Sequence, residues 1–276
     1  RTRLPGVARL LPLGVAALWF SSAAMAAPDD DFMAAREAFR VGDARKLDLY
    51  AKRLSGYVLE PYVAYWQFRL RLDTAGADDI RAFLANYRDT YVADRLRVDW
   101  LKLLGKNQQW DTFDTEAVPP GDDIELTCYS LQSKLRKGDE ALQEARPLWF
   151  VPKELPESCT PLIAALTERH LLSDEDIWTR VRLTLEAGQV SGAKRAAQWL
   201  SAGAAPDAAA LSAVYTNPGG YLERTSASVD TRSRAAREVV MFAVYRLART
   251  APQQAAAWWT RLESRFGAED RAYVWG

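Results

Sequence analysis

Residues 185 to 200 read LEAGQVSGAKRAAQWL, and this stretch decides the fold. It joins the end of one apolar-periodic segment, through Gly188, to a second segment rich in glycine and alanine that ends on Trp199. Glycine just past a periodic run is a helix-stop signal, because it alone takes the left-handed backbone at no steric cost. Small residues in the segment that follows let a second helix lie close against the first, and the aromatic at its end fills the seam to the next pair. The stretch therefore reads as a helical hairpin. The same pattern recurs in AFRVGDARKLDLYA (38 to 51), KLRKGDEALQEARPLW (134 to 149) and RLARTAPQQAAAWW (246 to 259), with a weaker copy in LKLLGKNQQW (101 to 110). The turn residues Gly42, Gly105, Gly138, Gly188 and Thr250 lie 63, 33, 50 and 62 residues apart. Most of these separations are near one or two multiples of a unit of about 31 to 34 residues, as in tetratricopeptide-like pairs. Degenerate hairpins stacked side by side form an irregular superhelix, or α-solenoid, so the expected class is all-α.

The rest of the chain agrees. Phe32, Ala35, Ala38 and Phe39 form one helical stripe, Leu47, Tyr50, Ala51 and Leu54 the next, and Val63, Trp66, Phe68 and Leu70 a third. Later stripes run through Leu126, Tyr129, Leu131 and Leu135, then Ile177, Val181 and Leu185, while almost nothing alternates with the period of a strand. Glycines and prolines punctuate the stripes, among them Gly56, Pro119-Pro120-Gly121, Gly203 and Pro252. Aromatic residues at helical spacing are core residues first, and only an exposed pair such as Trp258 or Trp259 would offer a surface on which sugars stack.

The chain has 276 residues, 49% hydrophobic and 26% charged, with 36 basic against 36 acidic groups, a balance that gives no support to a nucleic-acid partner. Arg1, Arg3 and Arg9 precede an apolar run from Leu10 to Phe20 that is too short to span a bilayer, and Ala24-Met25-Ala26 fits a signal-cleavage pattern. Residues 1–26 therefore read as a secretory signal peptide and residues 27–276 as the exported chain, without stable membrane insertion after cleavage. Arg rather than Met at position 1 leads us to expect that the reading frame starts upstream. Loss of the three arginines from the 36 leaves 33 basic against 36 acidic groups, so the balance survives cleavage. An exported chain meets an oxidising compartment, and Cys128 and Cys159 are the two cysteines available to form a disulfide. With a single histidine, His170, and no second close cysteine there is no metal-ligand spacing, and no cofactor motif is present.

Several segments, taken in order, carry a specific resemblance. AAREAFRVGD, LEPYVAYWQFRLRL, LKLLGKNQQWDTF and ELTCYSLQSKLRKGDEALQEARPLWF followed by PESCTPL resemble the N-terminal superhelical domain of the soluble lytic murein transglycosylases. Leu59 to Trp66 and the Cys128-Tyr129 to Cys159 pair are the most diagnostic, and the resemblance covers essentially residues 30–276. It implies a periplasmic protein whose parent enzyme cleaves the β-1,4 bond between N-acetylmuramic acid and N-acetylglucosamine without water, leaving a 1,6-anhydro end in cell-wall turnover. It also implies peptidoglycan strands as the partner. Such enzymes carry a C-terminal lysozyme-like catalytic domain in which one glutamate serves as acid and then base.

Glu263-Ser264-Arg265-Phe266 resembles the segment around that acid. In the family the catalytic Glu-Ser is followed by a Gly-Leu-Met-Gln type segment, and here 12 residues follow Ser264 without one. Glu263 also falls at the end of the last hairpin helix, where a solvated glutamate paired with Arg261 or Arg265 is the simpler reading. Glu157-Ser158 is a loop beside the expected disulfide. Asp174-Glu175-Asp176 after Ser173 reads as a capped helix start, whose acids favour the positive end of the helix dipole. Asn217-Pro218-Gly219-Gly220 is a turn, because it lacks the lysine and strand of a phosphate loop. No residue of the chain is therefore expected to be catalytic: the chain reads as the non-catalytic superhelical portion, with the catalytic domain expected beyond residue 276. An exported helical-repeat scaffold that binds protein partners is the alternative.

Overall fold

A computed structural model describes residues 26–138, 140–228 and 230–276, and for Ala26 and Ala27 the backbone alone. Apart from Ala26, the expected signal peptide lies outside the described residues. The described residues divide into two compact units, the first ending at Asp99 and the second running from Trp100 to Gly276. The first contains α1 (Ala26–Arg40), α2 (Ala44–Arg53), α3 (Glu60–Leu70), α4 (Ala77–Asn86) and most of α5 (Tyr91–Lys106). The second continues with α6 (Trp110–Glu116), α7 (Ile124–Leu135), α8 (Ala141–Ala145), α9 (Thr160–Glu168), α10 (Asp174–Glu186) and α11 (Val190–Ala197). It ends with α12 (Ala208–Thr216), α13 (Pro218–Thr225), α14 (Arg234–Ala248), α15 (Pro252–Leu262) and α16 (Ala268–Trp275). No strand occurs among the described residues, so the fold is all-α, and none of their helices is long and apolar enough to cross a membrane.

In the first unit the chain reverses between α1 and α2 at Gly42, whose φ of 75° suits glycine. Asp43 then caps α2 by accepting from the Lys46 amide at 3.0 Å. Ala35 and Ala38, both buried, let α1 meet Leu47 of α2, Leu54 just after it, and Val63 and Trp66 of α3. The Trp66 indole lies between two rings, with centroids 5.2 Å from Phe32 and 5.6 Å from Phe39. The sequence stripes of these three helices form this core or pack against it, except Phe68, whose ring instead meets Phe83 at 5.2 Å.

In the second unit the hairpin of residues 185–200 is formed by α10 and α11. Gly188 turns with φ 75°, the Gln189 amide returns to the Thr184 carbonyl at 2.7 Å, and Gly192, Ala193, Ala196 and Ala197 are buried on the facing helix. Ser173 and Asp176 form a reciprocal capping box that starts α10. Helix α14 is buried from Glu238 to Val244 and packed against α10, α12, α13 and α15. Cys128 of α7 and Cys159, at the end of a 3₁₀ turn before α9, are joined by a disulfide.

The turn expected at Gly105 falls just after it, at Asn107 and Gln108, where Gln108 has φ 56° and its amide returns to the Gly105 carbonyl at 3.1 Å. Gly105 lies inside α5, and a Cβ built there would sit 2.4 Å from Cγ of Tyr129. The glycine is present so that α7 can approach, not to reverse the chain. Gly105→Ala gains about 1 kcal/mol of helix propensity but overpacks this contact at a cost of about 1–3 kcal/mol. A net loss of stability in urea denaturation is the expected result.

Candidate functional site

Glu263 opens the 3₁₀ turn Glu263–Arg265 that closes α15, and its carboxylate accepts from Nε1 of Trp275 at 3.1 Å. That indole replaces the expected arginine partners. Arg261 lies over the Trp258 ring at 5.4 Å, and Arg265 donates to the Ser226 carbonyl at 2.6 Å. Trp259, considered above as a sugar platform, is instead 1% exposed and packs on Phe266, with ring centroids 4.9 Å apart.

The other candidates have local structural roles. Glu157 is exposed in a 3₁₀ turn at the rim of an open groove of about 500 Å³ that it shares with Glu125, Tyr129 and Gln132. Glu175 makes a two-pronged ion pair with Arg234, at 2.8 Å for Nη2, and the pairing holds its carboxyl below the usual range. Asp176 is held low against the opposing effect of burial by its bonds to Ser173 and Arg146. His170 is exposed at φ 53°, in the left-handed position just after α9. Asn217 caps α13 by accepting from the Gly220 amide at 2.9 Å.

One acid went unnoticed in the sequence. Glu238 of α14 is 3% exposed, and burial pushes its carboxyl above the usual range despite Arg182 at 2.8 Å and Arg234 at 3.5 Å. A raised acid is what protonation of a glycosidic oxygen requires. The cavity that Glu238 lines, with Tyr245 and Tyr273, is about 10 Å³, room for about one water and not for a sugar ring. Glu238 is therefore the centre of an ion network. Arg182 also reaches Asp270 at 3.4 Å, and Arg237 binds the other oxygen of Asp270 at 2.8 Å, so the network ties α10, α14 and α16 together. The spacing Arg234 to Glu238, with Glu238 next to the apolar run Val239-Val240-Met241-Phe242, was the available signal.

Besides the groove at Glu157, two depressions among the described residues have the size and chemistry for a polar polymer. In the first unit, Phe68, Phe83 and Tyr87 line a groove of about 580 Å³ with Arg71, Asp79 and Asn86 also on its walls. The Phe83 and Tyr87 rings are 4.7 Å apart, and burial together with Glu60 raises the Tyr87 hydroxyl. Aromatic surface beside planar polar groups is the chemistry that holds a saccharide. In the second unit a polar cleft of about 440 Å³ is lined by Glu175, Arg182, Arg234, Arg237 and Asp270, which pair with one another, and also by Arg265 and Glu269. No group of three or more histidine, cysteine or acidic side chains among the described residues is arranged to hold a metal ion.

No family model matches the chain. Among curated proteins it is similar to the soluble lytic murein transglycosylase of Escherichia coli K12, 26% identical over 237 residues, which is 83% of this chain and 37% of that protein. Among solved structures it is similar to an inactive mutant of the lytic transglycosylase Slt from Pseudomonas aeruginosa. That match has a TM-score of 0.59 and 28% identity over 88% of this chain and 40% of the other. The 70-kDa soluble lytic transglycosylase of Escherichia coli superposes with a TM-score of 0.62 at 19% identity, over 91% of this chain and 41% of that one, and shows the shared fold. A 70-kDa soluble lytic transglycosylase in complex with bulgecin A superposes with the same TM-score of 0.62 at 19% identity. The chain spans about two fifths of the length of these relatives.

Proposed function

We infer that this chain, homologous over most of its length to soluble lytic murein transglycosylases, is the non-catalytic superhelical portion of a periplasmic peptidoglycan lytic transglycosylase. The complete enzyme cleaves the bond between N-acetylmuramic acid and N-acetylglucosamine and leaves a 1,6-anhydro end, and this portion supplies a wall along which glycan strands are held and oriented. The observation that carries the reading is the similarity itself, 83% of this chain against 37% of a murein-cleaving relative. The acids support it. Cleavage needs a carboxylic acid that is both raised and open to a sugar. Glu238 is raised but enclosed, Glu263 is engaged by Trp275, and Glu157 is exposed. Strand contact by the aromatic groove of the first unit requires no such acid.

Incubating the purified chain with murein sacculi and separating the soluble products tests the assignment. The expected result is no 1,6-anhydro-muropeptide above the buffer control, and its release would overturn the non-catalytic role. The second reading is an exported scaffold for protein partners, to which exposed Val41, Leu49, Val58 and Tyr62 in the first unit would supply apolar contacts. Sequencing the coding region past Gly276 separates the two: a Glu-Ser segment followed by Gly-Leu-Met-Gln supports the enzyme, and an immediate stop codon the scaffold.

A further inference from the structure

Arg180 of α10 is 3% exposed, and no carboxylate among the described residues pairs with it. Its Nη1 donates to the carbonyls of Trp149, at 2.9 Å, and Val151, and its Nη2 donates to the carbonyl of Lys153 at 2.7 Å. These bonds fix the segment after the 3₁₀ turn Arg146–Phe150 and use three of the five guanidinium N–H groups. The remaining two are on Nε and Nη2, and such N–H groups are donors suited to a carboxylate oxygen. A buried cation is ordinarily paired with an anion. Burial alone brings this one down to about 10.

Arg180 lines a cavity of about 120 Å³ beside the disulfide. Trp149, Trp199, Leu155 and Ile163 give the cavity apolar walls, and Arg195, Glu154, Gln198 and Thr160 give it polar ones. Arg195 and Glu154 pair with each other, which leaves Arg180 as the uncompensated charge. The start of α9 borders the cavity through Cys159, Thr160 and Ile163, with the Thr160 amide bonded back to the Glu157 carbonyl of the preceding 3₁₀ turn. The volume suits a handful of heavy atoms, given that one water needs about 10–15 Å³ on this measure.

We propose that this cavity binds the carboxylate end of a small, partly apolar molecule, either an amino acid or the C-terminus of a short peptide. Arg180 is its principal ion partner, Arg195 assists, and Trp149 and Trp199 enclose its apolar part. The site is separate from the grooves assigned to glycan and does not depend on that assignment.

Tryptophan fluorescence and calorimetry on the purified chain, with alanine, alanyl-alanine, alanyl-alanine amide and inorganic phosphate as probes, test the proposal. Saturable binding of a free carboxylate at a Kd of about 1 mM or tighter is expected, with the amide weaker by about tenfold or more. Equal binding of alanine and alanyl-alanine assigns a free amino acid, and binding of the dipeptide alone assigns a peptide end; both uphold the site. Arg195 is exposed, so Arg195→Gln keeps the fold, and it is expected to weaken binding several-fold. Trp199→Ala is expected to weaken binding and to remove part of the fluorescence change. Equal affinity for the amide, preference for phosphate, or no saturation by either carboxylate up to about 20 mM overturns the proposal.

Discussion

Replacing both Cys128 and Cys159 by alanine is expected to lower the stability of the second unit by about 3–4 kcal/mol. The bond closes a loop with a sequence separation of 31 residues. Within that loop lie the end of α7, α8 and the 3₁₀ turn Arg146–Phe150, short elements with little core of their own. Cys128 and Cys159 are 0% and 1% exposed, so the alanines also leave small voids against Leu131 and Leu162. Comparing urea midpoints of the oxidised protein, the reduced protein and the double variant measures the effect. A shift below about 1 kcal/mol would show that the loop is ordered without the bond.

Arg182→Met is expected to cost about 3 kcal/mol at neutral pH, at the low end for breaking a buried pair because Arg234 remains beside Glu238 at 3.5 Å. The side chain of Glu238 is 2% exposed, so it cannot exchange its lost partner for water. The pH dependence identifies the cause. Burial already holds the folded-state carboxyl of Glu238 above its unfolded value, and removing Arg182 raises it further. A raised folded-state value means that the folded form binds the extra proton. The stability deficit of Arg182→Met relative to the parent is therefore small below the unfolded value of about 4.3 and grows as pH rises through the folded-state value. Adding Glu238→Leu to Arg182→Met is expected to recover most of the loss, since an apolar replacement removes the charge that was left unpaired. A deficit that stays constant with pH would mean that Arg182 acts through packing on Tyr273, over whose ring it lies at 4.3 Å.

The hairpins were legible because their signals are local. Gly42 and Gly188 need left-handed backbone wherever the chain goes next, and the alanines of α1 and α11 mark close helix approach. Gly105 was read as a turn because a glycine that reverses the chain and one that admits Tyr129 look alike in sequence. Glu238 and Arg180 were overlooked for a related reason. A charged residue inside an apolar helix takes its meaning from partners 56 residues away for Glu238, and 27 to 31 residues away for Arg180. The family resemblance, carried by Leu59 to Trp66 and the two cysteines, was legible because it rests on the order of several segments. The face on which each tryptophan lies was not, as the contrast between buried Trp259 and half-buried Trp258 shows.

Co-sedimentation of the purified chain with murein sacculi tests the central claim most directly. The account predicts that the chain pellets with sacculi, and that substituting Tyr87 and Arg71 in the aromatic groove by alanine returns much of it to the supernatant. A chain that stays in the supernatant at every sacculus concentration would contradict a glycan-holding wall and leave the protein-binding scaffold as the better reading.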